Sequence, residues 1–155
     1  MNLVALLVAL LSAGAPRAIA SDLADGIAKY ARSPAEAAFL IAWSKHESSF
    51  SADIIAGRCK RWQCDAHRLP DGTIEHRARG AWQIHRRAAG ADWDLLPGNI
   101  DAQARSAARM ARWALRECRT PLGAFRRLGG LACDRPLKGE AARMKSYERA
   151  RGALQ

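Results

Sequence analysis

At 155 residues the chain has room for one domain with a proper core, and 25 Lys plus Arg against 15 Asp plus Glu give it a formal net charge of +10. That balance steers it towards anionic polymers, whether cell wall, membrane surface or nucleic acid. No repeat, acidic block or low-complexity linker marks a second domain.

The first stretch reads as a leader. Leu3 to Ala15 is an apolar run too short to span a bilayer comfortably. Ala18-Ile19-Ala20 before Ser21-Asp22 has the small-residue pattern of a secretory cleavage site, although Met1-Asn2 places no Lys or Arg in front of the run. The expectation is a signal peptide over 1–20 and a single domain over 21–155, periplasmic or secreted, with no transmembrane segment after cleavage. The alternative is an apolar helix kept as an anchor.

A short helix is expected over Asp22 to Arg32, with Asp22 as its cap. The next helix has a clear start: Ser33-Pro34-Ala35-Glu36 combines an N-cap Ser, Pro at the first helical position and a Glu that completes a capping box. It runs to Ala42-Trp43-Ser44-Lys45-His46-Glu47-Ser48-Ser49-Phe50, and helical spacing puts Glu47 in line with an apolar stripe through Leu40. Burial disfavours a carboxylate's charge, so a carboxylate leaving a hydrophobic face suits a general acid. The plainer alternative for Glu47 is a half-exposed residue in a fraying last turn.

From Ser51 to Arg79 the periodicity breaks up, and Leu69-Pro70-Asp71-Gly72-Thr73-Ile74 predicts a hairpin turn within that stretch. Gly80-Ala81-Trp82-Gln83-Ile84-His85 is expected to open a short helical stretch. Asn99 caps a long helix from Ile100 to about Cys118 whose one side is rich in alanine, which calls for a closely packed partner helix. Arg105, Arg109, Arg112 and Arg116 line the other side, either as a solvated face or as a binding stripe. Thr120-Pro121 starts another helix that Gly129-Gly130 stops, and a last helix covers roughly Gly139 to Arg151. The fold class is mainly α, an α+β arrangement with a small β-hairpin.

Cys59, Cys64, Cys118 and Cys133 form an even set suited to an oxidising compartment. Three pairings are open; proximity favours Cys59–Cys64 and Cys118–Cys133. Zinc is a weak rival, because Cys-x4-Cys followed by His67, His76 and His85 matches no compact ligand spacing. His46-Glu47 lacks the second histidine of a zinc-protease helix, since Phe50 stands at that position. No metal or cofactor is expected.

Glu47-Ser48-Ser49-Phe50 and Gly80-Ala81-Trp82-Gln83-Ile84, followed by Asn99-Ile100 at the head of an alanine-rich helix, resemble the lytic transglycosylase branch of the lysozyme-like fold. The first stretch resembles that family's Glu-Ser-x-Phe signature and the second its Gly-x-x-Gln signature. The resemblance spans about Ala37 to Cys118. It implies that Glu47 is the catalytic acid and that Ser48, Trp82 and Gln83 bind substrate, the glycan strands of peptidoglycan, with the protein acting as a monomer and no nucleic acid partner. Two departures stand out. The family's Tyr-Asn pair after the long helix is replaced by Phe125-Arg126-Arg127-Leu128-Gly129-Gly130, and the segment between Glu47 and Gln83 is longer than usual.

Glycoside cleavage needs an acid on the leaving oxygen and a group that quenches the oxocarbenium-like centre. A transglycosylase needs one protein carboxylate, because the substrate's own 6-hydroxyl closes the ring. A lysozyme-type hydrolase needs a second carboxylate, with Asp53, Asp65, Asp71 and Glu75 as candidates that spacing does not separate. The remaining alternative is a non-catalytic cationic module that binds wall polymer or nucleic acid through the arginine stripe. For Ser48 the plainer role is a helix-end hydroxyl, for Gln83 a surface amide, and for Trp82 and Trp62 a place in the core. Trp93 and Trp113 are assigned to the core or its edge, and His46 to an exposed site away from Glu47.

Overall fold

A computed structural model describes residues 2–155. Among these residues the chain forms eight α-helices and two antiparallel two-stranded sheets. The order is α1 (Leu3–Ser12), α2 (Arg17–Tyr30), α3 (Pro34–Ser48), α4 (Ala52–Ile55), β1 (Ala66–Arg68), β2 (Ile74–His76), β3 (Ala78–Arg79), β4 (Ile84–His85) and α5 (Arg86–Ala89). A 3-10 turn, Gly90–Leu95, leads on to α6 (Ile100–Cys118), α7 (Pro121–Leu128) and α8 (Glu140–Ala153). The fold is thus mainly helical with a small β component.

α3 starts as its sequence dictates. Ser33 Oγ accepts from Glu36 N at 3.1 Å, and Glu36 Oε2 accepts from Arg32 N, also at 3.1 Å. Every residue from Ala37 to Ser44 is buried, so the expected one-sided stripe is instead an all-round core helix. α1, α2, α6 and α8 pack around it. Phe39 stacks on Phe125 with ring centroids 4.2 Å apart, which fastens α7 to the same core.

Asn99 and Thr120 cap α6 and α7 through side-chain oxygens, as expected. The close partner of the alanine-rich face is α2. A methyl added at Gly26 would stand 2.9 Å from the Ala104 Cβ, so only hydrogen fits between the two helices.

Two expectations change, at the start of α2 and at Gly80–His85. α2 begins at Arg17 and not at an Asp22 cap, so Ala18-Ile19-Ala20 lies in its first turns and Ala20 is buried. The apolar run before it folds as α1 and packs on α2, α3 and α8 through Leu6, Ala9 and Leu10, while Leu3, Val4, Val8 and Leu11 remain exposed. Met1, part of the expected leader, lies outside the described residues. Gly80–His85 opens with a second hairpin, because Ala78 pairs with His85 and Arg79 with Ile84 before the chain turns into α5.

The hairpin around Pro70-Asp71-Gly72 forms as expected, with His67 opposite Glu75. Its turn is held by Asp71 Oδ1, which accepts from Thr73 N at 2.9 Å. Both disulfides take the near pairing: Cys59–Cys64 closes the loop before β1, and Cys118–Cys133 ties the end of α6 to the segment after α7. Among the described residues no helix is long and apolar enough to cross a membrane.

Candidate active site

Glu47 sits in the last turn of α3, where the helix leaves the core. Ser49 and Phe50 both adopt left-handed backbone, φ 49° and 56°, which reverses the chain and returns Phe50 to the interior. Consecutive non-glycine residues in that region are costly and survive where packing fixes them, often beside functional groups. Ser48 takes part in the reversal: its buried hydroxyl donates to Ser44 O at 2.9 Å and accepts from Phe50 N at 3.2 Å. That is the helix-end role, and it turns the Ser48 hydroxyl inward instead of towards a ligand.

The Glu47 side chain, 29% exposed, opens on a cleft of about 480 Å³. The rest of its lining includes Gln83 of the β3–β4 hairpin and Leu128-Gly129-Gly130 at the end of α7. Trp82 forms the floor. It is fully buried and its indole donates to Leu40 O at 2.8 Å, which makes it a core residue beneath the cleft. Gln83 holds φ 47° and donates from Nε2 to Gly80 O at 2.9 Å, so its amide is fixed on the cleft wall. Glu47, Trp82 and Gln83 therefore come together, and Ser48 supports them from behind.

The hairpin is carried by a residue that sequence reasoning passed over. Gln103 of α6 is fully buried; its Oε1 accepts from Ala81 N at 2.8 Å while Nε2 donates to Ile55 O and Leu96 O. Gly80 lies against that amide. Its φ is +77°, and a Cβ there would come within 2.5 Å of the Gln103 carboxamide, so the glycine of the Gly-x-x-Gln stretch is required by both backbone and packing.

Asp65 and, outside the cleft lining, Arg143 add charge around Glu47. Arg143 of α8 donates from Nη2 to Glu47 Oε1 at 3.1 Å. Asp65, next to the Cys59–Cys64 loop, lines the same cavity, with Oδ2 3.7 Å from His85 Nδ1. The other acidic candidates are engaged elsewhere: Asp53 pairs with Arg58, Asp71 holds its turn and Glu75 pairs with Arg77. Cys64 and Asp65 are both left-handed, φ 57° and 50°, which kinks the chain just before β1.

His46 lies between α3 and α8, half-buried, with Nε2 3.2 Å from Ala142 O and 3.0 Å from Ser146 Oγ. Burial, and then the Arg143 charge, hold its pKa below the usual histidine value. It links the two helices and takes no place in the cleft.

The arginine stripe on α6 is mostly internal bracing. Arg105 and Ser106 both bond Asp92, Arg109 donates to Ala88 O and Ala89 O, and Arg112 bonds Glu36 Oε1 at 2.7 Å. Arg116 is the member without an ion pair among the described residues. Trp93 is buried under the Arg79 guanidinium, 4.0 Å from its ring centroid, and Trp62 is exposed away from the cleft. Trp113, expected in the core or at its edge, is 40% exposed.

Comparison of the chain with protein-family models, curated proteins and solved structures found no match.

Proposed function

We propose that the chain is an exported, lysozyme-like enzyme that cleaves the β-1,4 bond between N-acetylmuramic acid and N-acetylglucosamine in peptidoglycan, acting as a lytic transglycosylase with Glu47 as acid and base. What supports this reading most is that Glu47 and Trp82-Gln83 of the Gly80–Ile84 stretch, far apart in the chain, line one cleft, with the Gln83 amide fixed by Gly80 O.

In this mechanism Glu47 gives its proton to the leaving glycosidic oxygen as the C1–O bond breaks. The muramic 6-hydroxyl oxygen then bonds to C1, and the Glu47 carboxylate takes the hydroxyl proton. The product is a 1,6-anhydro sugar and no water is consumed. Glu47→Gln keeps the shape and removes the transferable proton, so clearance of cell-wall suspensions should fall by at least about 10²-fold with an unchanged circular dichroism spectrum. Unchanged clearance would remove Glu47 from the chemistry.

A second reading, hydrolysis of the same bond, has one observation in its favour. Of the four acidic candidates, Asp65 lines the Glu47 cleft. There it would activate water or stabilise the cationic centre.

Export rests on residues 1–20 acting as a signal that is cut before folding, when Ala20 is still accessible. The exposed apolar face of α1 is consistent with a segment that is not kept. Two disulfides fit an oxidising compartment.

A further inference from the structure

Beside the Glu47 cleft lies a second cavity of about 640 Å³. Trp113 and Met110 give it an apolar wall, and Arg87, Arg109 and Arg127 bring three guanidinium groups to its lining among the described residues. His85 and Met110 also line the Glu47 cleft, so the two cavities are neighbours across these side chains. Arg127 lies over the Trp113 ring, 4.8 Å from its centroid, and is shared with Glu117. Arg109 is spent on Ala88 O and Ala89 O and reaches Asp92 at 4.0 Å. Arg87, exposed on the short α5, has no ion pair among the described residues.

The two cavities differ in charge. The Glu47 cleft is lined by Glu47, which Arg143 bonds, and by Asp65, so it carries little net charge and suits a neutral chain. The adjoining cavity carries three guanidinium groups around an aromatic face and suits an acidic, partly apolar group. Peptidoglycan matches the pair: its sugar backbone is neutral once the lactyl carboxyl is amide-linked, and its stem peptides bring carboxylates and alanine methyls on every second sugar.

We propose that the Arg87–Trp113–Arg127 cavity is a binding site for the acidic stem peptide of a strand whose glycan occupies the Glu47 cleft. The proposal rests on the glycan-cleavage reading for its substrate. It makes the enzyme selective for peptide-bearing strands, with Trp113 packing the alanine methyls and Arg87 meeting a peptide carboxylate.

The test compares kcat/KM of the full chain on peptide-bearing strands and on the same strands stripped by an amidase. Wild type should prefer the peptide-bearing strands. Arg87→Ala and Trp113→Leu should each lose about fivefold on them and nothing on stripped strands. Arg87 is exposed and unpaired, so its variant keeps the test sound if Trp113→Leu unfolds. Equal rates on both substrates for wild type, or equal losses on both for Arg87→Ala, would overturn the proposal. If neither substrate is cleaved, the glycan-cleavage reading fails. Fluorescence titration of Glu47→Gln protein with an L-Ala-γ-D-Glu-diaminopimelate tripeptide then decides: binding weakened by both variants supports the site, and no binding overturns it. Tighter binding of a single-stranded oligonucleotide than of the tripeptide, lost in Arg87→Ala, would also overturn it.

Discussion

Arg143 Nη2 donates to Glu47 Oε1 across 3.1 Å, so the last helix holds the carboxylate at the end of α3. The two side chains are mostly buried, 17% and 29% exposed, and Arg143 also donates to Lys138 O at 3.2 Å. Because Arg143 acts on Glu47 and faces α3, Arg143→Ala should lower kcat about tenfold and leave KM unchanged. Arg143→Lys should recover part of the loss. A rise in KM with kcat intact would mean that Arg143 binds substrate instead.

Gly80 and Gln103 make a second coupled pair. Gln103→Ala leaves Ala81 N without a partner and removes one of the two hydrogen bonds at Ile55 O and at Leu96 O, and should cost about 2 kcal/mol in urea unfolding. Gly80→Ala pushes a methyl into the same amide while keeping φ +77°. If the clash is with Gln103, the double variant is less destabilised than the sum of the singles. Strict additivity would place the cost of Gly80→Ala in the backbone alone.

What could be read from the sequence was local. Ser33, Asn99 and Thr120 each bond a backbone N–H three residues on, so short spacing reveals them. The near disulfides and the Pro70-Asp71-Gly72 turn belong to the same class. β3 and β4 are two residues each, too short to show a period of two. Arg143 lies 96 positions from Glu47, and no pattern links them. The α6 arginines look like a free stripe because their partners, Asp92 and Glu36, come from other elements. Asp65 could not be separated from its acidic neighbours without the kink at Cys64-Asp65.

Asp92 gives the fold a pH dependence. Hydrogen bonds from Arg105, then from Ser106, hold its carboxyl below the usual 3.8. A depressed folded value means that the stabilisation is complete above the unfolded value and lost as pH falls through the folded one. Asp92→Asn should therefore lower the denaturation midpoint at neutral pH and flatten its decline below about pH 4. A parallel shift at every pH would show that packing, not charge, is what the substitution removes.

Intact mass of exported protein tests the two ends of the maturation argument. Removal of residues 1–20 should leave Ser21 first, with no thiol alkylated before reduction. Reduction should then open the Cys118–Cys133 loop, whose sequence separation is 15, at a cost of about 3 kcal/mol. An uncut N-terminus would make α1 a permanent part of the core, and four free thiols would argue for a reducing compartment.

The product of cleavage separates the two chemistries, and Asp65 sharpens the contrast. If the 6-hydroxyl is the nucleophile, fragments end in 1,6-anhydro-muramic acid, lighter by one water than hydrolysis products, and digestion in heavy-oxygen water leaves them unlabelled. Asp65 is then a bystander near His85, and Asp65→Asn should change cleavage less than about threefold. If water attacks, label enters the new reducing end and Asp65→Asn falls in line with Glu47→Gln, by about 10²-fold or more. The single-carboxylate route is expected from the proposed function, because Glu47-Ser48-Ser49-Phe50 and Gly80-Ala81-Trp82-Gln83 resemble the transglycosylase signatures. Labelled product together with an inactive Asp65→Asn protein would overturn it and make Asp65 the second carboxylate of a hydrolase.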